Sequence, residues 1–181
     1  MRIISGKARG TKLYTLEGMN TRPTLDRVKE PLFSIIGTKI VDANVLDLFA
    51  GSGALGLESL SRGASSVILC DNSKDAINVI NKNLEKTRLK AQVINSDYEK
   101  CLSNLKQSKF DLIFLDPPYE TDYIEKAINK ILEYGILKEN GLIIAETDNQ
   151  DKIERIKNLD IEITDIRKYG RAILIFLNRK G

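Results

Sequence analysis

A chain of 181 residues with 42% hydrophobic and 29% charged content fits one soluble globular domain, and no apolar run approaches the ~20 residues a membrane-spanning helix needs. It contains no histidine, which excludes Ser-His-Asp and Cys-His nucleophiles, histidine-ligated zinc and imidazole proton shuttles. The net charge of +3 is uneven: residues 1–31 hold seven Lys or Arg against three acids, and residues 32–181 hold 21 against 22.

The basic amino-terminal segment reads either as a solvated arm or as the electrostatic footprint of a nucleic-acid binder. It lacks the apolar stretch of a signal peptide, so the chain is expected to stay in the cytoplasm, away from membranes. RIIS and KLYT flank KARG and predict a small hairpin. RPTLDRVKEPLFSIIG then puts Leu25, Val28, Leu32 and Ile35 on one helical stripe. Pro31 interrupts that stripe, so the helix is expected to start near Lys29 or to kink there.

From residue 43 onward, short apolar runs alternate with amphipathic stretches, the pattern of a parallel sheet covered by helices. Strands are predicted at 44–49, 66–71, 91–96, 110–116, 141–146, 161–169 and 171–177. Helices are predicted at 54–62, 73–87, 98–106, 122–134 and 150–157. Only Gly170 separates the last two strands, so they pair antiparallel, whereas the first five are parallel. The expected fold is α/β and Rossmann-like: a seven-stranded, mostly parallel sheet with an antiparallel carboxyl-terminal hairpin. Residues 1–42 form a basic hairpin-and-helix extension and residues 43–181 the main domain. Cys70 and Cys101 have no metal-ligand spacing and read as small buried hydrophobes. No metal site is expected.

VLDLFAGSGALG carries Gly51, Gly53 and Gly56 in the G-x-G-x-x-G spacing of dinucleotide-binding folds, with Asp71 about 20 residues on. An NAD-dependent oxidoreductase is one reading of that loop. Asp47, four positions before it, argues otherwise: a carboxylate there repels a pyrophosphate but attracts the ammonium and sulfonium of S-adenosylmethionine. The stretch DLFAGSG resembles the cofactor loop of class I S-adenosylmethionine-dependent methyltransferases. That resemblance implies cofactor contacts from Asp47, Phe49, Ala50, Gly51, Ser52 and Gly53. It also implies that Asp71, beside Asn72, holds the ribose hydroxyls, and that Asp97 meets the adenine amine. Asp71 otherwise reads as a turn or capping residue and Asp97 as an ordinary helix N-cap.

The predicted strand at 110–116 runs into Asp116, Pro117, Pro118 and Tyr119. Neither proline has an N–H, so this corner presents acceptors only. The Asp116 carboxylate and the Pro117 carbonyl can each accept one N–H of an exocyclic base amine, stabilising the charge that develops on its nitrogen. Tyr119 can stack on a base that is flipped or unpaired. DPPY resembles the (N/D)-P-P-(Y/F/W) motif of amino-methyltransferases that act on adenine, cytosine or guanine.

RIISGKARGTKL, TRPTLDRVKEPLF, LDLFAGSGALGLESLSRGA and DLIFLDPPY together resemble the bacterial RsmD family of 16S ribosomal RNA guanine-N2 methyltransferases, over nearly the whole chain. The resemblance implies methyl transfer from S-adenosylmethionine, leaving S-adenosylhomocysteine, to N2 of one guanine. The implied partner is the small ribosomal subunit or its assembly intermediate, met by a monomer. Arg9, Arg22, Arg27 and Lys29 are the implied RNA contacts, and Thr24 the implied entrance to the base pocket. The alternatives are adenine-N6 methylation of DNA or of another RNA, an NAD(P)-dependent oxidoreductase, and a non-catalytic RNA-binding module.

Overall fold

The computed structural model describes residues 1–16 and 23–181. Seven strands form one sheet: β1 (Asn44–Asp47), β2 (Ser66–Asp71), β3 (Gln92–Asn95), β4 (Phe110–Leu115), β5 (Leu137–Thr147), β6 (Glu162–Tyr169) and β7 (Ala172–Asn178). Their spatial order is β3-β2-β1-β4-β5-β7-β6. β1 to β5 pair in parallel, and β7 lies antiparallel between β5 and β6. The predicted pattern of five parallel strands and a hairpin is therefore the observed one. β5 begins earlier than expected, at Leu137, and its ladder with β4 shifts register between Phe110 and Leu112.

Both faces of the central strands are covered, which is why they read as unbroken apolar runs. Phe114, Ile144, Leu174 and Phe176 face one core, shared with α1 (Pro23–Ile36) and α2 (Ala54–Ser61). Ile113, Ile143 and Ile175 face the other, with α4 (Tyr98–Asn104) and α5 (Tyr123–Tyr134). α3 (Lys74–Thr87) follows β2, and α6 (Asp151–Lys157) follows β5. The chain winds outward in both directions from β1 and β4, so their carboxyl ends flank a crevice where the order reverses.

The amino-terminal expectations are met in part. α1 does not start near Lys29 but runs from Pro23 to Ile36 with Pro31 inside it. Among its described side chains, Val28, Lys29, Leu32, Phe33 and Ile36 are buried and Ile35 is 37% exposed, while the predicted Leu25 side chain lies outside the described residues. Burial of four apolar side chains, each worth ~1.5–3 kcal/mol, outweighs the ~3 kcal/mol cost of an interior proline. The predicted hairpin forms as a short one: Arg2 and Lys12 make an antiparallel bridge, the Ile3 N–H donates to the Thr11 carbonyl at 2.9 Å and the Leu13 N–H to the Met1 carbonyl at 2.7 Å. Backbone groups of residues 4–8, between its arms, bond to α2. Ser61 Oγ accepts from the Ala8 N–H at 2.9 Å and donates to the Ser5 carbonyl at 2.6 Å, and the Ser61 carbonyl takes the Lys7 N–H at 2.9 Å. Among the described residues, no helix is long and apolar enough to cross a membrane.

Candidate active site

A cavity of about 600 Å³ opens at the carboxyl ends of β1, β2 and β4. Asp47, Phe49, Ala50, Gly51, Ser52, Asp71, Asn72 and Asp97 all line it, as do Asp116 and Pro118. The glycine loop and the DPPY corner, more than sixty residues apart in sequence, thus share one chamber.

Asp47 ends β1 with its side chain 1% exposed, and neither carboxylate oxygen has a hydrogen-bond partner among the described residues. Burial, reinforced by the charge of Asp71, raises its pKa from 3.8 to about 7. The N–H groups of Gly56 and Phe49 pull the other way without reaching full hydrogen-bond geometry. An orphaned buried carboxylate facing a cavity is the complement of a ligand ammonium.

Asp71 closes β2 and ties two loops together. Its Oδ2 accepts the Gly51 N–H and its Oδ1 the Ser73 N–H, both at 2.9 Å. Each oxygen keeps a second lone-pair direction for a ligand hydroxyl. Gly51 and Gly53 have φ of 57° and 85°, values that L side chains adopt only under strain. Gly53 is not on the cavity wall. It caps α2, and a Cβ there would meet Ile80 at 3.3 Å. Gly56 serves packing: a Cβ would sit 2.2 Å from Leu69 Cδ2, so its absence lets α2 lie on β2. Asp97 caps α4 through Oδ1, which takes the Lys100 N–H at 2.8 Å, and it also borders the cavity.

Three aromatic rings make the apolar wall. Phe49 lies parallel to Tyr123 with centroids 6.1 Å apart, and Tyr98 contacts both, at 5.4 Å from Phe49 and 4.8 Å from Tyr123. Met1, Thr15 and Leu16 also line the cavity. Sequence reasoning missed these six residues apart from Phe49. Tyr98 follows Asp97 directly and was reachable, whereas nothing local marks Tyr123 or the amino-terminal arm.

The DPPY corner is braced from below. Pro117 is buried, the Pro118 carbonyl accepts from Thr121 Oγ1 at 2.8 Å, and the buried Lys152 of α6 donates to the Thr121 carbonyl. Tyr119 is outside the cavity wall; its hydroxyl donates to Glu146 Oε1 at 3.1 Å.

Of the expected RNA contacts, Arg9 and Arg27 are exposed. Arg22 lies outside the described residues, as does the side chain of Thr24, whose backbone belongs to α1. Lys29 is a correction: it is fully buried, paired with Glu58 at 3.0 Å and bonded to the Arg2 carbonyl at 2.8 Å. A lysine whose ammonium is sealed in the core cannot meet a phosphate.

An ammonium acceptor, a diol acceptor and an aromatic slab together suit an amino-acid nucleoside, and among the described residues no phosphate-binding cation lines the cavity. Among the described residues, no cluster of three His, Cys, Asp or Glu could hold a metal ion. The sequence profile of the family described as Conserved hypothetical protein 95 matches residues 1–178. The ribosomal RNA small subunit methyltransferase D of Haemophilus influenzae is 43% identical over 155 residues, covering 82% of this chain and 79% of that one. A candidate rRNA methyltransferase of Bacillus subtilis is 38% identical over 185 residues, covering 100% of both. A solved structure from Escherichia coli, described as a candidate methyltransferase, superposes with a TM-score of 0.87 at 34% identity, covering 100% of this chain and 98% of that one. These relatives overturn the oxidoreductase reading of the glycine loop and the non-catalytic alternative.

Proposed function

The chain belongs to the RsmD family, described as Conserved hypothetical protein 95, and from that premise we propose that it methylates the exocyclic N2 amine of a guanine in small-subunit ribosomal RNA. The observation that carries this reading is the shared wall: Asp116 and Pro118 of the DPPY corner line the same cavity as the orphaned Asp47.

S-adenosylmethionine, when bound, supplies an electrophilic methyl group. Asp47 pairs with its ammonium and Asp71 accepts its ribose hydroxyls, while Phe49, Tyr98 and Tyr123 cover its adenine and Asp97 accepts from the adenine amine. Asp116 and the Pro117 carbonyl each accept one N–H of the guanine amine, turning the nitrogen lone pair toward the methyl. As positive charge grows on that nitrogen, the Asp116 carboxylate stabilises it and then takes the proton, with no histidine involved. Tyr119 packs against the extruded base. Residues 1–42, with Arg9 and Arg27 on the surface, form the RNA-facing extension of a monomeric cytoplasmic enzyme. Its substrate is the small subunit or a late assembly intermediate.

The test is methyl transfer from labelled S-adenosylmethionine to unmodified small-subunit particles, naked ribosomal RNA and duplex DNA, with the modified nucleoside identified by mass spectrometry. N2-methylguanine in the particle is the expected product. Methylation confined to DNA, or N6-methyladenine as the product, overturns the reading.

A further inference from the structure

We propose that Glu146 is the residue that selects guanine, by accepting its N1–H while Asp116 and Pro117 hold its N2 amine; the proposal rests on the guanine-N2 reading above. β4 and β5 run in parallel with Leu115 opposite Ala145. Asp116 and Glu146 are each one residue further along, on neighbouring strands about 4.8 Å apart. Side chains alternate along a strand, so both carboxylates rise on the Phe114 and Ile144 face. A second small cavity confirms this, since Asp116 and Glu146 line it together with Phe114 and Ile144. Asp116 also lines the large cavity, so it forms the partition between the two. Glu146 is 5% exposed, and the Tyr119 hydroxyl donates to its Oε1 at 3.1 Å.

The chemistry of the bases decides what such a pair recognises. In guanine the amine is flanked by the N1–H, so the edge offers donors side by side. In adenine and cytosine the amine is flanked by an unprotonated ring nitrogen, an acceptor. A carboxylate beside the amine-holding aspartate therefore attracts guanine and repels the other two. A carboxylate has about four lone-pair sites, so Glu146 can accept the N1–H alongside the contacts it already makes, the Tyr119 hydroxyl among them. Sites built to hydrogen-bond a substrate donor reject analogues lacking it by roughly 10⁴-fold.

The test uses small-subunit particles reconstituted with either guanine or 2-aminopurine at the target position. 2-Aminopurine keeps the N2 amine but has no N1–H. The wild-type enzyme is expected to favour guanine by at least about 100-fold in kcat/KM. Glu146→Gln should bring that ratio below about 10, and Tyr119→Phe should leave it at the wild-type value. The missing O6 of 2-aminopurine affects every enzyme alike, so the change in ratio between enzymes reports the N1 contact. A wild-type ratio near one overturns the proposal whether or not any variant folds. So does a folded Glu146→Gln protein with an unchanged ratio, or Tyr119→Phe matching its loss, because Glu146 would then act only through the ring. If the wild-type product in guanine particles is not N2-methylguanine, the underlying reading fails, and that failure is visible in the product itself.

Discussion

Lys29 Nζ lies 3.0 Å from Glu58 Oε1, and neither side chain reaches solvent. Glu58 also accepts the N–H groups of Ile4 and Ser5 and the Nε of Arg62. One carboxylate thus joins the amino-terminal segment, α1 and α2. Burial alone would raise the Glu58 pKa, but these donors outweigh it and hold the group below its ordinary 4.5. Its stabilisation is therefore complete above about pH 4.5 and is lost as the pH falls through the lower folded value.

Lys29→Met strands that charge in the core and is expected to cost about 3–5 kcal/mol, read from urea unfolding. Its RNA affinity, measured while folded, should keep the wild-type salt slope. Arg9→Ala should instead lower that slope by about one unit with little loss of stability. A stable Lys29→Met protein with a reduced slope would return Lys29 to the phosphate contacts.

The contrast between Lys29 and Arg9 shows where sequence reasoning ends. Both are basic residues in a basic segment, and composition cannot distinguish them, because their fates depend on a partner 29 residues away in one case and on none in the other. Strands β2 and β4 were legible nearly to the residue, since their apolar runs are bounded by turn residues. The loop and the DPPY corner were legible as chemistry, for the residue types are unusual in those positions. Tyr123, Met1 and Glu146 were not, because each reaches the site through topology: the crossover order that sets β5 beside β4, and an arm that folds back over the loop. On α1, Val28 and Leu32 of the predicted stripe are buried, and only Ile35 gives way, to Phe33 and Ile36, which take the core.

Asp47 should make cofactor binding pH-dependent. Its pKa of about 7 without ligand means that near neutrality roughly half the molecules carry it protonated. A cationic ligand binds the ionised form, so affinity for S-adenosylhomocysteine should fall about tenfold per pH unit below 7 and level off above it. Stability without ligand has the opposite sign. The folded state holds its proton more tightly than the unfolded chain, so this group destabilises the protein progressively from about pH 4 to 7. Asp47→Asn should therefore unfold at a higher temperature than the wild type at pH 8 while binding the cofactor weakly and without pH dependence. Calorimetry across pH 5.5–8.5 checks both; a flat wild-type profile would remove Asp47 from the ammonium site.

Asp71 and Asp116 should separate binding from transfer. Asp71 bonds to the Gly51 and Ser73 N–H groups, so Asp71→Ala loosens both loops that shape the cofactor side of the cavity. A loss of about 100-fold in cofactor affinity, ~2.7 kcal/mol, fits two lost charge-assisted bonds. Asp116→Ala leaves those loops intact and is expected to keep cofactor affinity within about threefold while lowering kcat by at least 10²-fold, on the order of one electrostatic contact to the reacting nitrogen. Single-turnover transfer and isothermal titration on both variants make the comparison, and near-normal turnover in Asp116→Ala would refute the amine-holding role.

Asn83 gives the amino-terminal arm its grip on the glycine loop. Fully buried on α3, it accepts the Tyr14 N–H through Oδ1 at 2.7 Å, and its Nδ2 donates to the Tyr14 carbonyl at 3.0 Å and the Ser52 carbonyl at 2.9 Å. One amide thereby imitates a neighbouring strand for Tyr14 while holding the loop that lines the cavity, and it anchors the arm whose Thr15 and Leu16 line that cavity too. Asn83→Ala leaves two carbonyls and an N–H to find water and should cost about 1–3 kcal/mol. Because the arm and the loop share this support, the Tyr14 amide should exchange faster with solvent and cofactor affinity should fall together. Bound S-adenosylhomocysteine should in turn slow that exchange in the wild type, since a ligand that favours the closed arm must also be favoured by it. Exchange at Tyr14 that ignores the ligand would show that the arm lines the cavity without responding to it.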